Sequence, residues 1–380
     1  MSEVIPTPRV TWMELFYDVI VAAAMLLIYG SLAKHLSWSE FFWLSGVALV
    51  VFSMWLSTTL IFNRLPGDST GRRLFVIAQM IALIYAVASM ESSDRVDGDV
   101  GIVALGVAML IMAAMWEFVR RTTGDESRTD RLPMIGFVIG GVFLLSAALL
   151  PDALNPEVFI LGAVIGFAPI FVMYVPRLCA AGALDVHHLV ERLGGLVLIM
   201  LGETFLEMAV LFTKGAEPRA FGVVLVLILL TLVWWQYFTY TSAQPRRDSA
   251  ATVIAYLAGH AMLVIGLGSA ALSLTEVGLA LKEQLPLPVL AGMLGGSMAL
   301  IYAGLAVIVA TTSAPALRTV ILVLATAAFT VLGVLFWSAW EVDEQFLSVL
   351  MVIVSLAAVL LTAATTGKAN KADISYSVPS

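Results

Sequence analysis

Four charged side chains lie within one apolar stretch that is long enough to cross a membrane. The stretch covers residues 187–212 and contains Glu191, Arg192, Glu203 and Glu207. A charged residue at the centre of a membrane helix costs about 2.5 to 3.5 kcal/mol on the insertion scale, so such residues usually face a partner or a water-filled cavity. The stretch therefore predicts a membrane helix with a paired or functional polar face.

Helical periodicity places three of these charges on one face. At about 100° per residue, Arg192 and Glu203 differ by about 20° around the helix axis. Glu207 lies about 40° from Glu203 by the same geometry. One stripe of the helix is therefore expected to present a cation and two carboxylates.

The first apolar stretch, at 11–33, also carries acidic residues. Glu14 and Asp18 are four residues apart and hence on one helix face. Glu14 follows Thr11 with the spacing of a capping box, which gives it a structural explanation beside a functional one. Asp18 lies a turn deeper, where capping does not explain it.

Helix rise suggests which of these charges can meet. Asp18 is expected about 6 Å, and Arg192 about 11 Å, on the cytoplasmic side of the membrane midplane. Arg192 could therefore neutralise Glu14 or Asp18 if the two helices touch. A static ion pair that only fixes helix packing is the alternative to a functional one.

Two further polar residues lie near the middle of other apolar spans. His260 is about midway along 249–274, and Gln79 about midway along 72–90. The depth of His260 suits a contact with Glu203, and a histidine beside a carboxylate can exchange a proton with it. A buried histidine with ordinary hydrogen-bond partners is the alternative.

The composition is that of a membrane protein. The 380 residues are 61% hydrophobic and only 12% charged, against about 25% charged in soluble domains.

A single cysteine excludes an intrachain disulfide and a cysteine-based metal site. Nucleotide-binding loops, metal-ligand clusters and basic nucleic-acid surfaces are missing from the sequence, so we expect no cofactor, metal or nucleic acid. Asp185 with His187 and His188 is a short loop cluster without further ligands nearby in sequence.

Apolar runs of about 20 residues predict an all-α, polytopic membrane helix bundle with about 12 transmembrane helices. The runs lie near 11–33, 38–62, 72–90, 100–119, 133–150, 157–176, 187–213, 219–241, 249–274, 287–311, 316–337 and 345–366. We expect residues 1–366 to form a single integral-membrane domain and 367–380 a disordered tail. Similarity between the first and seventh spans also permits two parallel six-helix halves, 1–176 and 177–366, with chance similarity as the alternative.

Lysine and arginine positions predict the orientation. Of the twenty such residues, fourteen fall on the side of the N-terminus and C-terminal tail and five on the opposite side, while Arg192 lies within a span. Both termini are therefore expected in the cytoplasm. No cleavable signal peptide is expected before the first span.

The tryptophans lie mostly near span ends and are expected to form interfacial belts. They are at positions 38, 43, 55, 116, 234, 235 and 340.

Two acidic motifs carry a family resemblance. The sequences ELFYDVI at 14–20 and HLVERLGGLVLIMLGET at 188–204 resemble the bacterial low-temperature-requirement A (LtrA) family. The resemblance covers most of the chain in order and implies a membrane fold, but no settled biochemical activity. Some relatives are linked to growth in the cold or lie beside natural-product biosynthesis genes. The residues that match the family motifs by position are Glu14, Phe16, Asp18, Glu191, Arg192, Gly194, Gly202 and Glu203.

These features favour a proton-linked transporter or permease for an unidentified small molecule in the bacterial cytoplasmic membrane. Asp18 and Glu203 would be the protonatable groups, because burial disfavours the charged form of a carboxylate. Arg192 would serve as counter-charge or anion contact. The expected partners are membrane lipids, protons and the small molecule, while the sequence leaves the oligomeric state open.

Two alternatives use the same residues differently. An intramembrane enzyme would use the carboxylates, with His260, as acid and base on a lipophilic substrate that enters from the bilayer. A lipid-sensing or structural protein would use the buried charges only to fix helix contacts.

Overall fold

The computed structural model describes eleven segments of the chain, and all of the regular structure in them is helical. The segments are 10–34, 37–64, 69–92, 98–123, 131–151, 154–213, 220–241, 243–246, 249–279, 287–338 and 344–375. Within these segments no β-strand occurs, which confirms the all-α class.

The described segments contain thirteen α-helices, numbered here in chain order. They are α1 (Trp12–Gly30), α2 (Trp38–Arg64), α3 (Thr70–Ser92), α4 (Gly98–Thr123), α5 (Leu132–Ser146), α6 (Asn155–Pro169), α7 (Val175–Ala180), α8 (Val186–Thr213), α9 (Ala220–Trp235), α10 (Ala250–Leu279), α11 (Leu287–Thr311), α12 (Ala316–Ser338) and α13 (Glu344–Ser375). A π-turn joins α6 to α7 in one continuous span, and a second π-turn extends α9.

Length and composition identify a multi-pass membrane protein. Eleven helices of the described segments are long and apolar enough to cross a membrane. The exception among the long helices is α8, which has 28 residues but carries four charged ones. At about 1.5 Å per residue, α8 is also long enough for a hydrocarbon core of about 30 Å. Together these helices agree with the predicted polytopic bundle.

The start of α1 is fixed by a capping box, as the sequence predicts. The Thr11 hydroxyl accepts from the Glu14 amide at 3.3 Å, and the Glu14 carboxylate accepts from the Thr11 amide at 2.8 Å. These bonds satisfy amide groups that a helix start otherwise leaves free. They also fix the Glu14 side chain at the first turn.

Proline accounts for the π-turn in the sixth span. Pro169 has no N–H to donate to the preceding turn, and the π-turn Ile170–Tyr174 follows it directly. The helix then continues through Pro176 to Ala180. The span therefore ends at Ala180, four residues beyond the predicted end near 176.

Glycines allow α5 and α6 to pack with their backbones in contact. Gly136 and Gly140 on α5 face Gly162 and Gly166 on α6. A Cβ atom added to Gly140 would lie 2.5 Å from the Gly162 carbonyl oxygen. This close packing between small residues four apart is a common mode of association in membranes.

The chain divides into two compact units. Unit 1 comprises Met1–Ser31, Gly46–Leu196 and Arg247–Ile254, and unit 2 comprises Leu32–Ser45, Val197–Arg246 and Ala255–Ser380. Their bounds differ from the halves 1–176 and 177–366. The single domain and the internal repeat remain predictions.

The last helix is longer than the sequence suggests. Helix α13 continues to Ser375, nine residues into the segment 367–380 for which we expect disorder. Alanine and lysine, both good helix formers, recur in this extension and favour its helical backbone. Residues 376–380 lie outside the described segments.

Candidate functional site

Three helices of unit 1 each direct two side chains, one turn apart, toward a common polar cluster. A spacing of four residues places both members of each pair on one helix face. The polar cluster consists of Glu14 and Asp18 from α1, Trp55 and Thr59 from α2, and His188 and Arg192 from α8. All six side chains are buried.

Asp18 and Arg192 form a two-point ion pair at the centre of the cluster. Arg192 Nη1 donates to Asp18 Oδ2 at 3.0 Å, and Arg192 Nη2 lies 2.9 Å from Asp18 Oδ1. Both residues are 0% exposed. The predicted contact of Arg192 with Glu14 or Asp18 is therefore confirmed, with Asp18 as the direct partner. Its paired geometry is the strongest that arginine and a carboxylate can form.

Trp55 and Thr59 complete the surroundings of this pair. Trp55 Nε1 donates to Asp18 Oδ1 at 2.6 Å, while the Arg192 guanidinium lies 5.4 Å from the centre of the Trp55 ring. Thr59 Oγ1 accepts from Arg192 Nη2 at 3.5 Å. Sequence reasoning places Trp55 in an interfacial belt, which is wrong because its ring is fully buried against the ion pair.

Glu14 and His188 form a second contact, one turn nearer the helix starts. His188 Nε2 lies 2.9 Å from Glu14 Oε1, and Arg192 Nε lies 3.9 Å from the same oxygen. The two acidic residues of α1 therefore share Arg192 as a neighbour. The sequence pattern predicts His188 as part of a short loop cluster, but its spacing to Arg192 repeats the spacing of Glu14 to Asp18.

Asp185 and Asn63 position the start of α8. The His188 amide donates to Asp185 Oδ1 at 3.1 Å, as expected for an N-cap residue. The Asn63 side-chain amide donates to the Asp185 carbonyl at 2.5 Å and accepts from the Asp185 amide at 2.9 Å. These bonds hold the end of α2 against the start of α8. The starts of α1 and α8 and the end of α2 consequently lie at the same end of unit 1.

Two other predicted residues of unit 1 lie outside the polar cluster. Glu191 points to the surface, where its carboxylate is 3.5 Å from His187 Nδ1 and both side chains are about half exposed, at 44% and 55%. Gln79 is buried on α3, where its Oε1 accepts from Thr58 Oγ1 at 3.0 Å. The Gln79 amide nitrogen has no hydrogen-bond partner among the described residues.

The remaining acidic candidates on α8 belong to unit 2. Glu203 is partly exposed, and within the described segments it has no hydrogen-bond or ion-pair partner. Glu207 is part of the α8 helix, but its side chain lies outside what the structure describes. Of the three charges predicted to share one stripe of α8, Arg192 joins the polar cluster and Glu203 does not. The stripe as a whole stays a prediction.

His260 has different partners from the predicted one. His260 Nδ1 lies 2.9 Å from the Tyr256 carbonyl, which can only accept, so Nδ1 carries a proton. In the neutral ring, Nε2 then accepts from the Tyr237 hydroxyl at 3.1 Å. Tyr237 belongs to the π-turn Gln236–Thr241. The contact predicted with Glu203 is wrong, because His260 is fully buried among these partners whereas Glu203 is partly exposed.

The polar cluster contains the groups needed to hold one exchangeable proton. With His188 neutral, two carboxylates and one guanidinium give the cluster a net charge of −1. Uptake of one proton makes it neutral, and an uncompensated charge is costly in a medium of low dielectric. Among the described residues no group of three histidine, cysteine or acidic side chains could hold a metal ion.

Comparison with known proteins agrees with the two acidic motifs. The family model described as bacterial low temperature requirement A protein (LtrA) matches residues 9–366. An uncharacterised protein of Rhizobium meliloti (strain 1021) is 25% identical over 246 residues, which are 60% of this chain. The match spans only 58% of that relative's length. Because the family model covers nearly the whole chain, the chain belongs to the bacterial low-temperature-requirement A family.

Proposed function

We propose that this protein is a proton-linked transporter of a small molecule in the bacterial cytoplasmic membrane, with the polar cluster as its proton-binding site. The observation that carries the proposal is the buried set of Glu14, Asp18, His188 and Arg192, which becomes neutral on binding one proton. Buried ionisable groups in membrane helices commonly belong to proton relays in pumps and transporters.

The layering of the cluster suggests a route for the proton. The contact between Glu14 and His188 lies at the first turns of their helices, and the ion pair of Asp18 with Arg192 lies one turn deeper, about 6 Å further along. A proton entering from the helix starts reaches Glu14 or His188 first and Asp18 second. In the orientation predicted from the lysine and arginine positions, the starts of α1 and α8 face the cytoplasm.

Gradient-driven uptake tests the proposal. Proteoliposomes are placed in a mixture of small organic compounds, and their contents are analysed by mass spectrometry with the pH gradient imposed or collapsed. We expect at least one compound to accumulate only with the gradient, and Asp18→Asn to abolish that accumulation. Glu157→Gln, which changes an exposed acid in the first turn of α6, serves as the control and should transport normally. Accumulation that is unaffected by the gradient would contradict the proposal.

Glu203 remains part of the proposal as a second protonatable group. Its partial exposure within a membrane helix leaves it open to an exchange partner. Glu203→Gln should therefore also reduce gradient-driven uptake. Normal uptake in this variant would restrict the proton site to the polar cluster.

One observation favours an intramembrane enzyme as the second candidate. The buried contact of 2.9 Å between Glu14 and His188 is an acid–base pair of the kind that moves protons in catalysis. An enzyme should convert a lipophilic substrate in detergent, without any gradient or second compartment. A transporter should leave the same mixture chemically unchanged.

A further inference from the structure

The Arg192 guanidinium retains unused binding capacity although it is fully buried. Arginine has five N–H donors. Two of them meet Asp18 and one meets Thr59. Arg192 Nε has no hydrogen-bond partner among the described residues, since Glu14 Oε1 is 3.9 Å away. The Arg192 guanidinium also lies over the Trp55 ring.

The two oxygens of Asp18 differ in how firmly they are held. Oδ1 accepts from Trp55 Nε1 and also contacts Arg192 Nη2, whereas the one donor to Oδ2 among the described residues is Arg192 Nη1. A proton on Oδ2 would point at the Nη1 donor and break that bond. The bond from Trp55 to Oδ1 would keep Asp18 in place.

Gly195 leaves space beside the weaker oxygen. A Cβ atom added to Gly195 would lie 3.7 Å from Asp18 Oδ2, which is an ordinary contact distance. Gly195 is partly exposed whereas Asp18 and Arg192 are fully buried, and the missing side chain leaves room for about one methyl group beside Oδ2.

We propose that protonation of Asp18 releases the Arg192 fork, which then binds the carboxylate of a small organic acid approaching beside Gly195. This inference rests on the proposed transport function and names its substrate class. The planar fork of arginine matches a carboxylate at two points. The exchange conserves charge, since the proton neutralises Asp18 and the incoming carboxylate replaces its negative charge.

The surrounding groups are compatible with this exchange. From α1, Glu14 and Tyr17 face the pair, and from α8 His188 does. The cluster members that α2 contributes, Trp55 and Thr59, are neutral. Glu14 keeps its negative charge when the one proton neutralises Asp18, and the Arg192 guanidinium, whose Nε is 3.9 Å from Glu14 Oε1, partly balances that charge.

Binding of benzoate to the purified full-length protein tests the inference. Equilibrium dialysis of the protein in detergent uses radiolabelled benzoate, with benzamide as the neutral molecule of the same shape. We expect saturable binding of benzoate but not of benzamide. The affinity should rise by up to about tenfold per unit fall in pH, as expected for uptake of one linked proton.

Variants of the ion pair give the sharpest readout. Asp18→Asn imitates the protonated acid, so benzoate should still bind but without the dependence on pH. Arg192→Lys removes the two-point fork, and benzoate affinity should fall by about tenfold or more. Binding of benzoate and benzamide with equal affinity, or a pH dependence that persists in Asp18→Asn, would overturn the inference.

A pair of glycine variants keeps the test valid if Asp18→Asn folds poorly. Gly195→Ala fits without a clash but fills the approach, so benzoate affinity should fall. Gly202→Ala, on the same helix with no atom within 4 Å of its added Cβ, should bind normally. Equal affinities in these two variants would overturn the proposed entry of the anion beside Gly195.

If benzoate does not bind while gradient-driven uptake of a neutral or cationic compound persists, the proposed substrate class is wrong and the proposed transport function stands.

Discussion

At the scale of single residues, the members of the central ion pair are not equivalent. Arg192 lies within 3.9 Å of both acidic side chains of α1, so a single guanidinium serves two carboxylates. Loss of the arginine therefore leaves two buried carboxylates without a guanidinium. Loss of Asp18 leaves Arg192 with Glu14 and brings the cluster closer to neutrality.

This asymmetry predicts unequal effects on stability. Arg192→Gln should lower the free energy of unfolding by about 3–5 kcal/mol, as for other broken buried pairs. Asp18→Asn should cost clearly less, because Glu14 remains to balance the guanidinium. Denaturant unfolding of the purified variants measures both values. Equal losses would instead indicate an isolated, static pair.

Glu14→Gln separates the structural role of Glu14 at the helix start from its role in the polar cluster. Glutamine is also accepted in a capping box, so Glu14→Gln should keep the start of α1 intact. The substitution removes the acid that contacts His188. We expect gradient-driven uptake to fall to background while the thermal unfolding midpoint changes little. Glu157→Gln changes an acid at the same kind of helix position that contacts no histidine among the described residues, so it should change neither. If Glu14→Gln loses both uptake and thermal stability, the role of Glu14 is purely structural.

At the scale of helices, the pairing of α5 with α6 depends on backbone contact. A Cβ at Gly140 would lie 2.5 Å from the Gly162 carbonyl and 2.9 Å from the Gly166 Cα, and neither atom can rotate away. Gly140→Ala should therefore force the helices apart and destabilise the protein by about 1–3 kcal/mol. Gly202→Ala, which meets open space, is the matched control for the change in helix propensity. Equal unfolding free energies for the two variants would contradict this packing.

The helices show which features the sequence could predict. Spacing alone places Glu14 and Asp18 on one face, and helix rise brings Arg192 to a suitable depth, so the sequence predicts an ion pair of Arg192 with one of the two acids but not the choice of Asp18. It does not predict Trp55 and Thr59, because uncharged residues in an apolar span give no sign of which helix they face. The partner of His260 was missed because a π-turn changes the direction of the side chains along α9, which places Tyr237 beside the imidazole.

At the scale of the whole molecule, the number of crossings decides where the termini lie. If the eleven apolar helices of the described segments were all the crossings, the termini would lie on opposite sides of the membrane. If α8 also crosses, the number becomes even and both termini lie on one side. The distribution of lysine and arginine favours the cytoplasmic side for both.

Reporter fusions test this parity. A reporter that is active only in the cytoplasm should be active at either terminus, and a reporter that is active only outside should be inactive at both. Opposite results at the two termini would mean that α8 does not span the membrane. The polar cluster, which α8 completes with His188 and Arg192, would then need a different account.

The most direct test of the account is whether the polar cluster exchanges a proton. Infrared difference spectra of the reconstituted protein between about pH 5 and about pH 8 report protonation of single carboxylates and imidazoles. We predict a difference band from the cluster that disappears or shifts in Asp18→Asn or Glu14→Gln and is unchanged in Glu157→Gln. Spectra in which neither cluster variant differs from the unsubstituted protein would contradict a proton-binding role and leave a static ion pair.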